Sequence, residues 1–495
     1  LRYSTAKILL LLLLVVMTVW CQPVYGGTSG KIAGTIVDVV TGTPLPGAKI
    51  VIQGTQIIAE ADADGEFYII NVPAGNYVLD ISIPGYESTV LKDVRVLMDL
   101  TTPVDLAMRT ISDTTNARTR QLRIEIAQQT LTQRDRTSSG ATLTQENIVH
   151  LANSRSITDV LSNVSGTNVD VDGNIHVRGG RTGSVTYLLD GFQVQDPFTG
   201  ENGLPLPPDI LEELTIVSGG VMPEYGQALS GVVSTLTREG GDHFLGRVKS
   251  YGMAYPQYDV MEGNYRNLKG TDDYCVIADV SGPLVKIGVQ PATIFGGAEL
   301  LREDGYLPHS RRERFSGTGK FVLYPTAKAK MTFDGAYYFE EQQLYTHRFY
   351  PSGLSYDFNL DGLGKRESES YLAGFTGEYN QSANTVLSVN VNHFRTKSKT
   401  APEQFFDLNY RQWPGYAEDN FGNYDSQEGT VDDSNYHASS LYGASGFTSG
   451  SDFYPVYKEQ FASYSGARFL VLTQLNKNHQ LKLGSDWRHY YLYWD

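Results

Sequence analysis

Two short clusters set charged side chains beside glycine: Arg178-Gly179-Gly180-Arg181 and Asp190-Gly191. Glycine lets the backbone approach a neighbour closely or take a positive φ, and the flanking charge stays available to a partner. The chemistry on offer is ion pairing. Arg178 and Arg181 can reach carboxylates through charge-assisted hydrogen bonds, which are strongest where water is scarce, or they are two ordinary surface arginines. Asp190-Gly191 follows the apolar run Tyr187-Leu188-Leu189 and fits a tight turn in which the aspartate bonds its own backbone. A third cluster sets Phe405, Phe406, Tyr410, Trp413, Tyr416, Phe421 and Tyr424 among Glu403, Asp407, Glu418, Asp419 and Asp425. Such a loop can stack on and bond a sugar, peptide or chelate, or its rings can pack on one another.

Signs of catalysis are missing. The nine histidines form no His-Glu-x-x-His, and no Gly-x-Ser-x-Gly elbow occurs. Gly317-Thr318-Gly319-Lys320-Phe321 has the end of a phosphate loop without its upstream glycine or its following Ser/Thr. Asp62-Ala63-Asp64-Gly65-Glu66 lacks the distant glutamate and flanking helices of a calcium loop and reads as a turn. No catalytic residue, metal or cofactor is expected. The formal net charge of −15 argues against a nucleic-acid partner, because neutralising phosphates needs excess Lys and Arg.

The elements that carry these clusters come in blocks. Arg2 and Lys7 precede the apolar run 8–16, and small or polar residues follow to Gly26, the order of a secretory signal peptide over 1–26. Cys21 is a poor lipidation site because bulky Trp20 precedes it. Removing the signal leaves Cys275 alone, so neither an internal disulfide nor a cysteine metal cage is available. Residues 27–109 read as short strands at 48–53, 67–72 and 77–83 between Gly, Pro and Asp turns, a β-sandwich. Residues 110–140 are polar and arginine-rich. Within them Leu122, Ile124 and Ile126 alternate with Arg123 and Glu125, either plain linker or a strand able to add to another protein's sheet edge. Helix starts are expected at Thr144-Gln145-Glu146-Asn147 and at Ser156.

Two resemblances follow from ordered motifs. Gly34, Pro46-Gly47-Ala48, Asp64-Gly65-Glu66-Phe67, Pro73-Ala74-Gly75-Asn76-Tyr77 and Gly85-Tyr86 resemble the carboxypeptidase-regulatory-like domain, which implies a small transthyretin-like sandwich without catalysis. Over 141–241, Arg178-Gly179-Gly180-Arg181, Asp190-Gly191, Glu224-Tyr225-Gly226 and Gly231-Val232-Val233 resemble, in order, the plug of TonB-dependent outer-membrane receptors. Ser234-Thr235 and Phe192 depart mildly from that pattern. The resemblance implies an α+β plug inside a barrel, with Arg178 and Arg181 facing glutamates on the inner wall.

After residue 241 the pattern is two-sided. Met331, Phe333, Gly335, Tyr337 and Phe339 alternate with Thr332, Asp334, Ala336, Tyr338 and Glu340, and Tyr371, Phe375 and Tyr379 continue it on the next strand. Tight turns at 325–327, 381–383 and 476–478 alternate with long polar stretches at 341–368 and 399–460. Such strands and connections suit an antiparallel barrel between lipid and a wet lumen. About nine strands are expected over 242–495, too few to close a large plugged barrel, so a longer protein is expected. The class is therefore mainly β: sandwich, plug and the first strands of a transmembrane barrel. The implied activity is uptake of a scarce ligand across the outer membrane. TonB and its inner-membrane motor are the implied partners, coupled through 122–126, and the ligand is unknown. An adhesion or surface-assembly protein of the same architecture is the alternative, and a receptor working with a surface lipoprotein a third reading.

Overall fold

The computed structural model describes residues 28–55, 57–111, 139–151, 154–170, 173–181, 183–220, 225, 228–253, 258–259, 264–265, 273–286, 291–305, 310–344, 364–382, 384–403, 406–407, 457–476 and 479–494. The expected signal peptide, the coupling segment Leu122, Arg123, Ile124, Glu125 and Ile126, and Glu224 and Gly226 lie outside these residues.

The first unit is a two-sheet sandwich. Strands β1 (Ser29–Asp38), β4 (Glu66–Pro73), β7 (Thr101–Pro103) and β8 (Leu106–Met108) form one sheet. Strands β2 (Lys49–Ile52), β3 (Ile58–Glu60), β5 (Gly75–Ser82) and β6 (Thr89–Val96) form the other. Ile32, Ile36, Ile50, Phe67 and Leu79 meet between them in one buried cluster, as alternating strands require. Strand β6 is not legible in advance, because Lys92, Asp93 and Arg95 interrupt its apolar period. Asp93 takes a φ of 60°, and the β5–β6 register shifts between Tyr77 and Leu79. The calcium-like loop is a turn: Asp62 Oδ1 accepts the amides of Asp64 and Glu66 at 3.0 and 2.9 Å.

The second unit is a mixed sheet in the order β13 (Phe192–Gln193), β12 (Val185–Leu189), β15 (Gly231–Thr237), β14 (Leu211–Gly219), β9 (Ser139–Thr144). The parallel neighbours β12 and β15 are buried along their whole length and are apolar or hydroxylic throughout. A hairpin of β10 (Thr167–Val169) and β11 (Ile175–Val177) flanks this sheet, with helices Gln145–Val149 and Ile157–Ser162. Both helices start where expected, at Thr144 and Ser156, and each start carries a capping box. Its reciprocal partners are Asn147 and Asp159.

The third unit is a nine-stranded antiparallel sheet in nearly sequential order. It runs β16 (Leu245–Met253), β19 (Asp273–Lys286), β20 (Pro291–Glu303), β21 (Arg312–Thr326), β22 (Ala329–Leu344), β23 (Gly364–Ser382), β24 (Thr385–Pro402), β25 (Lys458–Asn476), β26 (His479–Trp494). A small hairpin of β17 (Tyr258–Asp259) and β18 (Asn264–Tyr265) stands apart from it. Among the described residues the sheet is open. Strand β21 continues through Thr326, so the expected turn at 325–327 is the two-residue Ala327-Lys328. The two faces separate as the period of two demands. On β22, Thr332, Asp334, Ala336, Tyr338 and Glu340 are buried, while Phe333, Gly335 and Tyr337 are exposed.

The buried face of this wall closes on the second unit. Val160, Leu189, Phe192 and Ile210 share one apolar cluster with Ile277, Phe295, Leu372, Phe394 and Tyr464 of the wall. The exposed face stays apolar: Val248, Leu300, Phe315, Phe333, Tyr337, Val389, Val391 and Phe469 are 37–74% exposed. Phe321, Phe333 and Phe375 are register partners on three successive strands, with ring centroids 6.1 and 5.0 Å apart. A continuous exposed band of rings and branched chains costs too much in water and suits hydrocarbon.

Candidate functional site

The contact between the central unit and the wall is where the charged residues converge. Asp190 and Gly191 both take positive φ, 50° and 79°, in the turn between β12 and β13. This is the hairpin turn whose twist matches the strands, and glycine makes it cheap at the second position. The aspartate does not bond its own turn. Its Oδ1 accepts the Thr237 amide at 2.9 Å and its Oδ2 the Thr237 hydroxyl at 2.7 Å, across the sheet. From the wall, Lys320 Nζ donates to Asp190 Oδ1 at 2.7 Å and to the Thr237 carbonyl at 3.0 Å. Asp334 Oδ1 on the neighbouring strand lies 3.9 Å from the same ammonium. Lys320 and Asp190 are each 5% exposed. A buried pair with its other atoms hydrogen-bonded is costly to break from one side.

Further contacts repeat this theme. Lys249 of β16 reaches the Asp209 carboxylate at 3.0 Å, while Gln145 and Arg238 hold the Asp209 carbonyl at 3.0 Å each. Arg238 bridges to Asp279 of β19 at 3.1 Å and lies over the Phe295 ring. Lys330 of β22 bonds Glu239 at 2.8 and 3.0 Å. Arg488 and Tyr464 both bond Gln193, whose neighbour Phe192 fills the space above Gly374. The residue at 192 that departs from the family pattern thus has a built seat.

The two arginines of the glycine cluster lie elsewhere in the central unit. Arg178 is exposed, has a φ of 50°, and its guanidinium donates to Ser139 Oγ at the first residue of β9. Arg181 is also exposed, and its carbonyl closes the turn to the Ser184 amide at 3.0 Å. Among the described residues, these bonds of Arg178 and Arg181 stay within the central unit. The acid stands on the central unit at Asp190 and the cation on the wall at Lys320. In the sequence Lys320 stands only as the lysine of an incomplete phosphate loop; its signal is its place, with Ser316 and Thr318, on the polar side of a two-sided strand. The glycines do what their neighbours suggest. A Cβ on Gly180 would lie 2.4 Å from Ser230 Cβ, and one on Gly231 would lie 2.8 Å from the Val217 carbonyl oxygen. Gly179 takes a φ of 73°. Tyr225 is buried, with its hydroxyl donating to Asp99 of the sandwich at 2.6 Å.

The two ends of the wall differ. At the end with long connections, Asp196 and Glu201 of the central unit are held above the ordinary carboxylate range by burial, with Lys458 pulling the other way on both and Arg366 on Glu201. His176 lies between Asp170 (3.1 Å) and the Gly180 carbonyl (2.8 Å), and both keep its pKa above the usual value. Of the aromatic loop, Phe406 is described: it is buried beneath Lys365 and Lys399, so this ring serves packing. At the short-turn end sit Lys330, Glu239 and the sandwich.

Residues 31–109 match the family model of the carboxypeptidase regulatory-like domain, and residues 132–233 that of the TonB-dependent receptor plug domain. The TonB-dependent transporter Oar of Myxococcus xanthus is 24% identical over 236 residues, covering 44% of this chain and 21% of that protein. The unliganded ferric citrate transporter FecA superposes with a TM-score of 0.50 at 11% identity, covering 73% of this chain and 49% of that one. The ferric-catecholate import receptor Fiu of E. coli K12 has a TM-score of 0.49 at 12% identity, covering 72% and 50%. The chain thus spans about half the length of the solved structures it matches, and its alignment about a fifth of the curated relative.

Proposed function

We propose that this chain is the plug-bearing part of a TonB-dependent active importer of the outer membrane. The observation that carries the reading is a folded plug seated on the polar face of a wall whose other face is an apolar band. A plug held only by its own core would need no buried cation from the wall, yet Lys320 supplies one to Asp190. The plug closes the path; moving it requires energy, and an outer membrane has no nucleotide to provide it. Mechanical force from TonB is the source this family's name implies. The segment Leu122, Arg123, Ile124, Glu125 and Ile126 is our candidate for the coupling strand, because it lies ahead of β9 in the chain and its residues alternate as in a strand that can add to a sheet edge.

Ligand would meet the protein at the long-connection end, where Glu201 of the plug lies near Asp170 and Asp196 and near Arg366 and Lys458 of the wall. The likeness to iron transporters is one of fold and carries no ligand over to this chain. The test uses cells carrying the whole protein. Removing 122–126 should stop growth on the limiting nutrient while cells still bind it at the surface. Uptake that continues after this deletion refutes the coupling role, and wild-type cells with no growth dependence on the gene refute import.

A further inference from the structure

The sandwich carries a turn that makes little sense on a free-standing domain. Leu97-Met98-Asp99-Leu100 joins β6 to β7. At its tip Met98 is 3% exposed and Leu97 7%, yet neither belongs to the sandwich's own core cluster. What covers the tip is the plug. Met98 donates its amide to both carboxylate oxygens of Glu213 on β14, at 3.2 and 3.3 Å, and its sulfur lies 3.6 Å from Ser234 Oγ on β15. Asp99, at a φ of 55°, accepts the Tyr225 hydroxyl, and Arg95 bridges to Glu212 at 2.8 Å. Glu213, otherwise an acid on a sheet face, is fully buried here. The same domain also touches the wall at its short-turn end: Lys31 bonds Gln474 of β25 at 3.2 Å, and Asn71 lies beside Glu378 of β23.

We propose that the sandwich is a latch, docked through its 97–100 turn onto the underside of the plug, and that it must let go before the plug sheet can rearrange. The geometry places the latch where force would act. Strand β14, which holds Glu212 and Glu213, is also the strand that β9 pairs with, and β9 is the first plug strand after the 112–138 connection. A pull on that connection therefore loads β9 from one side while the latch retains β14 from below. Docking also covers the exit side of the plug, so a latched protein is closed twice, by the Lys320–Asp190 anchor and by the sandwich. What the latch serves rests on the importer reading; that it exists does not.

The test is made on the full chain in lipid, without ligand or TonB. One spin label is placed at Val40, exposed on the sandwich, and one at Lys328, in a short turn of the wall. The docked protein should give one narrow distance. Met98→Asp buries a carboxylate where the thioether now meets Ser234 and should broaden that distance. It should also speed amide exchange in plug residues 211–217 and 231–237 at least tenfold while exchange in β2 and β5 stays at the wild-type rate. Unchanged β2 and β5 show that the sandwich has not unfolded, and Tyr225→Phe, which removes one hydroxyl, should shift exchange the same way by a smaller factor. A broad distance in the wild-type protein overturns the latch, as does a released sandwich that leaves plug exchange within twofold of wild type. Neither readout involves uptake, so its failure leaves the importer reading standing, and an absence of uptake leaves the latch standing.

Discussion

Lys320→Met takes the ammonium from a site 5% exposed and leaves the Asp190 carboxylate without its 2.7 Å partner, with Asp334 nearby. Asp190 keeps two bonds from Thr237, so it stays hydrogen-bonded but becomes a buried charge without a counter-ion. Breaking such a pair from one side costs about 3–5 kcal/mol. Methionine fills nearly the same volume, so little of the effect comes from a cavity. The loss falls on plug docking, because Lys320 belongs to the wall and Asp190 to the plug. Amide exchange in 231–237, the strand that ends at Thr237, should rise about 10²–10⁴-fold if it proceeds through plug release. Asp190→Asn alone should cost less, since the amide is neutral and still accepts from Thr237 while Lys320 retains Asp334. Adding Asp190→Asn to Lys320→Met should recover part of the loss, a coupling of about 1–3 kcal/mol. Exchange in Lys320→Met within about threefold of wild type would refute the anchor, because ~0.7 kcal/mol is what an exposed pair gives.

Burial, opposed by the Met98 amide, the Thr215 hydroxyl and Arg95 and reinforced by Asp99, pushes Glu213 from 4.5 up to about 7. A raised carboxyl favours the docked form below its free value and loses that favour as pH climbs to the shifted one. The spin-label distance should therefore be narrowest near pH 5 and broaden between about pH 5 and 7, on the order of 3 kcal/mol in all, and Glu213→Gln should remove this dependence. Gly180→Val drives a side chain into Ser230, where a Cβ alone would lie at 2.4 Å; about 1–3 kcal/mol of plug stability should go, read as faster protease cleavage of the plug with the wall intact. Phe333→Arg places a charge in the exposed aromatic row and should cost assembly about 2–4 kcal/mol, seen as less protein in the membrane fraction, whereas a water-facing surface would tolerate it.

The linear chain determines which face of each strand tolerates oil. The alternation around Phe333 and Tyr337, the rhythm of short and long connections, the Asp190-Gly191 hairpin and the capped starts at Thr144 and Ser156 are local, and each follows from a period or from φ preferences within a few residues. Two domains carry ordered turn motifs dense enough to match known families. The electrostatic pairings were not legible, because they join residues far apart: Lys320 to Asp190, Lys249 to Asp209, Met98 to Glu213. Sequence could mark Arg178 as a charge beside glycine, but its φ of 50° and the position of Ser139 set it against β9, the edge strand of the neighbouring sheet. Strand β6 was hidden because charged residues on an exposed face carry no apolar period, and only pairing with β5 makes it a strand. Local sterics and solvation are written residue by residue, whereas a buried charge acquires its meaning only when folding removes the water that would otherwise have solvated it.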